Sequence, residues 1–279
     1  MTIPNLGIGI GLRSAHYREI LTQKPPIDWF EIISENYMPQ TGRPMAILER
    51  VMEDYPIVQH GVSLGIGSPD PLDWDYLKKL KSLARRTKTP WLSDHLCWGR
   101  LDGSHFHDLL PLPYTREMVK IVSERARVIQ DFLEIPFALE NVSSYAEFTS
   151  SEMSEWEFYR AVVEEADISM MLDVNNIYVS SQNHDFDPKA YVHGLPLDRV
   201  LQIHLAGHTN CGTHLLDTHD APVCDAVWDL FGYVYPKTRG VSVLLEWDEQ
   251  FVSLEDTWSE ALKAQKYTKQ LQEAAACAT

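Results

Sequence analysis

No apolar run in this sequence approaches the roughly 18 residues that a membrane-spanning helix needs. The opening segment, MTIPNLGIGIGLR, has no basic stretch followed by an apolar one, so neither a membrane helix nor a secretion signal is expected. The four cysteines, Cys97, Cys211, Cys224 and Cys277, form no CxxC pair and no zinc-finger spacing. Free thiols in a reduced compartment follow from that pattern, and the cytoplasm is the expected location. Basic residues are scarce, 24 Lys and Arg against 40 Asp and Glu, for a net charge of −16. That deficit weighs against a nucleic-acid partner, which asks for a basic face. No glycine-rich phosphate loop follows the first apolar run, which weighs against a nucleotide-binding sheet. No linker, low-complexity tract or strong repeat interrupts the 279 residues.

What is present is alternation. Eight short runs, apolar on both faces for most of their length, read as buried strands: Leu6–Leu12, Trp29–Ser34, Ile57–Leu64, Trp91–Trp98, Phe137–Ser143, Ser169–Val174, Val200–Leu205 and Val241–Trp247. Helical stripes lie between them: His16–Thr22, Pro44–Tyr55, Leu72–Arg86, Thr115–Leu133, Glu152–Ala166, Pro188–Gly194, Ala221–Phe231 and Leu254–Ala274. One such unit about every 35 residues predicts an α/β fold, a single (β/α)₈ TIM barrel over 1–279. The alternative is an open doubly wound sheet. The last residues, Ala274–Thr279, are expected to fray.

Ionisable side chains recur at the C-terminal ends of these strands. They are His60, Asp94 and His95, Glu140 and Asn141, Asp173 with Asn175 and Asn176, His204 with His208 beyond it, Asp217 and His219 in the next loop, and Glu246 with Asp248. In a barrel these ends converge on one mouth, where active sites lie. Glu140, Asp173, Asp217 and Glu246 packed there would repel one another. No run of Lys or Arg stands at the strand ends to balance them. Histidines do, and neutral imidazole beside carboxylate is metal-ligand chemistry. Any one of these residues alone has a simpler reading, a core histidine or a helix-capping aspartate. The set His60, His95, Glu140, Asp173, His204, Asp217, His219 and Glu246 argues for two or three ions, with Glu140 and Glu246 as bridges. Mixed His and carboxylate donors suit zinc and manganese as well as iron.

The ligand order resembles the xylose-isomerase-like barrels, including their three-metal apurinic endonucleases. A histidine three positions after the strand-six aspartate in that pattern is replaced here by Asn176. A narrower resemblance covers nearly the whole chain. SENYM (34–38), HGVSLGIGS (60–68), SDHLCW (93–98), HDLLPLPYT (107–115), ENVSSY (140–145), LDVNNIYV (172–179), HLAGH (204–208) and DTHD (217–220) resemble the multinuclear non-haem iron family that includes MbnB of methanobactin biosynthesis and TglH of 3-thiaglutamate biosynthesis. The resemblance implies that His60, His95 and Glu140 hold one iron and that Asp173, His204 and Glu246 help hold another. Asn176, Asp217 and His219 would complete a cluster of two or three Fe(II)/Fe(III) ions. It further implies O₂-dependent oxidation of a cysteine in a ribosomally made precursor peptide, with hydrogen removed from the cysteine β-carbon. A small leader-binding partner protein would assist.

Other residues near the mouth carry weaker signals. His208 reads as an orienter of ligands or an acid–base group, and Asn141 and Asn175 as residues that orient ligands or touch substrate. His105, His107 and Asp108 are expected in a loop after strand four. Asp94, beside His95, points the other way and is expected to be structural; Tyr145 and Tyr178 are expected to pack. Cys97 and Cys211 fall close to the candidate site. Three rival functions share the barrel. A sugar isomerase or epimerase would need one or two ions and paired carboxylates, fewer donors than are present. A phosphodiester endonuclease is opposed by the charge and by Asn176. A metal carrier without catalysis would keep its ions but show no O₂-dependent turnover.

Overall fold

The computed structural model describes residues 3–269. Eight parallel strands close into a barrel in the order β1-β12-β9-β8-β7-β4-β3-β2. These are β1 (Ile8–Gly11), β2 (Trp29–Ile33), β3 (Ile57–His60), β4 (Leu92–His95), β7 (Phe137–Glu140), β8 (Ser169–Asp173), β9 (Val200–Leu205) and β12 (Ser242–Leu245). Each falls within one of the eight predicted runs. The helices are α1 (Tyr17–Gln23), α2 (Gly42–Val51), α3 (Trp74–Thr87), α4 (Arg116–Leu133), α5 (Glu155–Ala166), α6 (Val174–His184), α7 (Pro188–Gly194), α8 (Asp225–Val234) and α9 (Leu254–Leu262). The predicted run to Ala274, the fraying end and Cys277 extend outside the described residues. No helix of the described residues is long and apolar enough to cross a membrane.

Three elements were not expected. The segment after β4 is an antiparallel ribbon, β5 (Trp98–Leu101) with β6 (Ser104–Leu110), rather than a loop. Its turn is Asp102-Gly103, both with positive φ (51° and 75°), the backbone that Asp-Gly favours in two-residue hairpins. His105, His107 and Asp108 therefore belong to a strand. A second ribbon pairs β10 (Thr209–Asn210) with β11 (Leu215–Leu216). Helix α6 begins directly after β8, so Asn175 and Asn176 lie in its first turn and not at a strand end. Its sequence, VNNIYVSSQNH, is poor in strong helix formers. The Asp173 side chain starts it by accepting the Asn176 N–H at 2.6 Å.

The barrel interior is layered by the two-residue period of its strands. Trp29, Val58, Trp91, Ala138, Met171, Leu201 and Leu244 pack together as an apolar plug, against which Ile3 and Leu6 pack from the N-terminal segment. Two residues further along β2, β3, β7, β8 and β12, the same inward face carries Glu31, His60, Glu140, Asp173 and Glu246. The polar layer thus rests on an apolar floor. The larger apolar cluster fills the space between strands and outer helices. Helix α5 is tied to that wall by Tyr159, whose hydroxyl lies 2.6 Å from the Leu139 carbonyl and 2.9 Å from that of Met171. Tyr159→Phe is expected to cost about 1–2 kcal/mol in urea unfolding, the usual price of unpairing a buried polar contact. An unchanged denaturation midpoint would contradict that role.

Candidate metal centre

Nitrogen and carboxylate donors meet above the plug. His60 Nε2 and His95 Nε2 each lie 3.3 Å from Glu140 Oε2. The other Glu140 oxygen is 3.3 Å from His204 Nδ1, which also lies 3.2 Å from Glu246 Oε2. Glu246 Oε2 is in turn 3.4 Å from His219 Nδ1. Four groups of three side chains bring donor atoms within 4.8 Å of one another: His60–His95–Glu140, Glu140–Asp173–His204, Asp173–His219–Glu246 and Glu31–His204–Glu246. Glu140 and Glu246 each belong to two of them.

Surrounding residues hold this set in place. Asn141 grips the Asp173 backbone on both sides, donating to its carbonyl at 2.9 Å and accepting its N–H at 3.0 Å. Asn176 donates to the Asn141 carbonyl at 3.0 Å. The Ser93 hydroxyl contacts His60 Nδ1 at 2.9 Å. A hydrogen-bonded chain runs from His208 Nδ1 to Asn175 Oδ1 (2.7 Å) and from Asn175 Nδ2 to Asp217 Oδ1 (2.7 Å), and Asp217 then meets His219 Nε2 at 2.7 Å. That last pair is close but not aligned as a hydrogen bond, so the His219 nitrogen stays unsatisfied. His219 itself has φ +50°, in the left-handed region that few non-glycine residues adopt. It is held by its N–H to the Gly207 carbonyl (3.1 Å) and by its own carbonyl, which accepts the Asp248 N–H (2.8 Å). Strain maintained in this way is common where geometry serves a site.

One cation does stand near a strand end, although no run of them does. Arg13, just past β1, donates from Nε to Asp248 (2.9 Å) and lies 3.4 Å from Glu246. Its guanidinium occupies the space that a side chain at Gly11 would fill. Arg13 was missed because it follows a glycine-rich strand that has no other polar residue.

Electrostatics set the protonation of the metal-free cluster. Burial, then the charges of Glu140 and Asp217, push the Asp173 carboxyl well above its usual range. Burial pulls His204 down, but Glu31, Glu140 and Glu246 outweigh it and hold the imidazole well above its ordinary value. His219 is raised against burial in the same way by Asp217 and Glu246. Burial would raise Glu246, but His204, His219 and Arg13 hold it well below the carboxylate range. His60 is pushed well down by burial and by its imidazole neighbours, so it is neutral. Glu140 Oε2, Asp173 Oδ2, Asn176 Oδ1, His204 Nδ1 and His219 Nε2 are buried without a hydrogen-bond partner. Buried polar atoms are seldom left so. Unpaired donors of this type, clustered on an apolar floor, fit metal ions.

A cavity of about 400 Å³ opens above the cluster. His60, His95, His219 and Glu246 reach it from below, and His105, Phe106 and Asp108 of β6 form part of its wall. Of the residues predicted to contact substrate or orient ligands, Asn141, Asn175 and His208 lie off the cavity wall; Asn141 bonds to Asp173, and Asn175 to Asp217 and His208. Asp217 joins none of the four donor groups but lines the cavity and reaches His219. The expected trio Asp173–His204–Glu246 is redistributed, with His219 taking its place beside Asp173 and Glu246 and with His204 between Glu140, Glu246 and Glu31. Asp94 does face away from the mouth: it accepts the Leu64 N–H (3.3 Å) and the Tyr76 hydroxyl (3.4 Å). Tyr145 does more than pack, because its hydroxyl accepts the Asp217 N–H at 3.0 Å. Tyr178 lies against the His208 ring, with centroids 5.3 Å apart. Cys97 is buried on the cavity wall, and Cys211 is exposed.

A profile of the RiPP precursor modification enzymes MbnB/TglH/ChrH matches residues 7–269. The chain belongs to this family. A UPF0276 protein of Anaeromyxobacter sp. (strain Fw109-5) is 52% identical over 244 residues, covering 88% of this chain and 86% of the relative. A UPF0276 protein of Caulobacter vibrioides is 45% identical over 255 residues, 91% of each chain. Among solved structures, a D-allulose 3-epimerase from Methylomonas sp. superposes with a TM-score of 0.63 at 16% identity, covering 97% of this chain and 100% of the other. A D-psicose 3-epimerase from Clostridium cellulolyticum H10 gives 0.61 at 13%, covering 95% and 99%. These likenesses show the fold, a (β/α)₈ barrel.

The protonation pattern carries a prediction. His204, His219 and Asp173 hold protons in the metal-free protein that a bound cation would displace, so protons and metal compete. Zinc affinity measured by calorimetry is expected to rise as pH is raised from about 6 to about 8, with proton release seen as a dependence of heat on the buffer. Affinity independent of pH would contradict the pattern.

Proposed function

We propose that the protein is an O₂-dependent, multinuclear iron oxidase that modifies a cysteine of a ribosomally made precursor peptide, aided by a small leader-binding partner. Its carrying observation is the set of buried, unpaired donors on Glu140, Asp173, His204 and His219, in a chain whose family modifies such precursors. In this reading His60, His95 and Glu140 hold one ion, and Asp173, His219 and Glu246 a second. His204 stands between Glu140 and Glu246, while Asn176 and Asp217 complete the cluster. Zinc or manganese would fit the same donors, so iron rests on the family resemblance.

Iron, when bound, supplies affinity for a thiolate and one-electron chemistry with O₂. The chain's own residues prepare the rest. The cavity of about 400 Å³ has room for a cysteine side chain, and the apolar plug lies beneath the cluster. In the metal-free protein burial, then Asp94 and Glu140, push the Cys97 thiol on the wall well up. Val62, Phe106, Leu109, Tyr145, Phe148 and Phe251 are exposed on the ribbon and loops around the mouth. Apolar exposure of that kind supports contact with a peptide or protein.

The test is co-production with a Cys-containing precursor peptide and its partner, followed by mass spectrometry. A mass change confined to the cysteine, requiring both O₂ and iron and lost when that cysteine is replaced by serine, is expected. Modification that proceeds equally well without O₂ would overturn the reading.

A further inference from the structure

Glu31 is a buried carboxylate inside the barrel that neither the resemblance nor the strand-end pattern singles out. It sits in the middle of β2, between Phe30 and Ile32, and shares the inward face with Trp29. Only 2% of it is exposed. Unlike Glu140 and Asp173, both of its oxygens are engaged. Oε1 is 3.0 Å from His204 Nε2, and Oε2 accepts the Gln202 side-chain amide at 2.6 Å. The Gln202 amide is itself fixed. Trp91, whose indole N–H can only donate, lies 2.8 Å from Gln202 Oε1, so the other end of the amide must be its NH₂. A line of contacts therefore runs from the apolar plug through Trp91, Gln202 and Glu31 to one edge of the His204 ring.

The opposite edge faces the cluster. His204 Nδ1 lies between Glu140 Oε1 and Glu246 Oε2, buried and without a hydrogen-bond partner. A neutral imidazole has one N–H and one lone pair. For Nδ1 to offer its lone pair to an ion, Nε2 must carry the hydrogen. The carboxylate that can accept that hydrogen is Glu31, 3.0 Å away. In the metal-free geometry Nε2 is aligned instead with the Gln202 nitrogen at 2.7 Å, a donor with one hydrogen on Glu31 and a second to give, so seating the ion on Nδ1 must turn the Nε2–H from Gln202 toward Glu31.

We propose that Glu31 is a positioning residue for the metal cluster: it holds His204 in the Nε2–H tautomer and directs Nδ1 to the ion, without itself being a ligand. The proposal rests on the reading of this site as a metal centre, but not on iron or on peptide chemistry. An acceptor behind a ligating imidazole fixes its ring and raises its basicity, and loss of such a partner typically weakens metal binding 10–100-fold.

Two measurements test it. The first is ¹⁵N NMR of histidine-labelled, zinc-loaded wild-type protein, with the His204 signals assigned by their loss in His204→Gln. Metal-bound Nδ1 and protonated Nε2 are expected; zinc on Nε2, or a proton on Nδ1, would overturn the assignment. The second is chelator competition with Zn(II), and with Fe(II) under anaerobic conditions, on Glu31→Gln. Affinity is expected to fall about 10–100-fold, with the ion count at saturation unchanged. A count lower by one ion would make Glu31 a ligand, and unchanged affinity would make it merely structural; either result overturns the proposal. Circular dichroism of the metal-free variant separates both from misfolding, and the NMR arm needs no Glu31 variant. If zinc binds as expected but iron does not, the oxidase reading fails while the role of Glu31 stands.

Discussion

Glu31, Glu140, Asp173 and Glu246 are buried together inside one barrel, and the arrangement of everything around them answers to that crowding. Carboxylates gathered in a low-dielectric interior resist ionisation unless positive charge is supplied. Arg13 supplies one charge at the rim, to Glu246 and Asp248. Protons on His204 and His219 supply more in the metal-free state, and a raised Asp173 removes one negative charge. A cation satisfies the same donors more completely, because it also engages the lone pairs that no hydrogen bond reaches.

That constraint explains the rigidity of the surroundings. The donors on the strands stand directly above an apolar plug, where the wall of the barrel fixes their spacing. Asp173 is held by its cap on α6 and by the paired hydrogen bonds of Asn141. His219 lies on a loop, and its left-handed φ is fixed by hydrogen bonds to Gly207 and Asp248. Sites supported by packed and hydrogen-bonded neighbours keep their geometry when an ion or substrate arrives. The cavity above is walled in part by the β5–β6 ribbon, which the barrel itself does not require.

The eight strands were legible in sequence because each is a short, doubly buried apolar run, and the mouth was legible because its polar residues end those runs. Glu31 was not, since it lies mid-strand, where one acid among Trp, Phe and Ile reads as an interruption. Only the two-residue step from Trp29 reveals it as inward-facing. Helix α6 escaped because Asn, Ser and Val carry little helical preference, and its start depends on Asp173, a residue that also reads as a ligand. The β5–β6 ribbon did leave a signal, the Asp102-Gly103 pair. The family resemblance anticipated the grouping of His60, His95 and Glu140, but the partners of His204 and His219 were beyond reach, because those pairings join segments far apart in sequence.

The most direct measurement is elemental analysis paired with Mössbauer spectra of iron-57-grown protein purified without a metal-chelating tag. The account predicts two or three irons per chain with coupled signals, and at least one ion fewer in Glu246→Gln. A wild-type protein that takes up no metal even after anaerobic loading, or a Glu246→Gln protein that keeps its full complement, would contradict it.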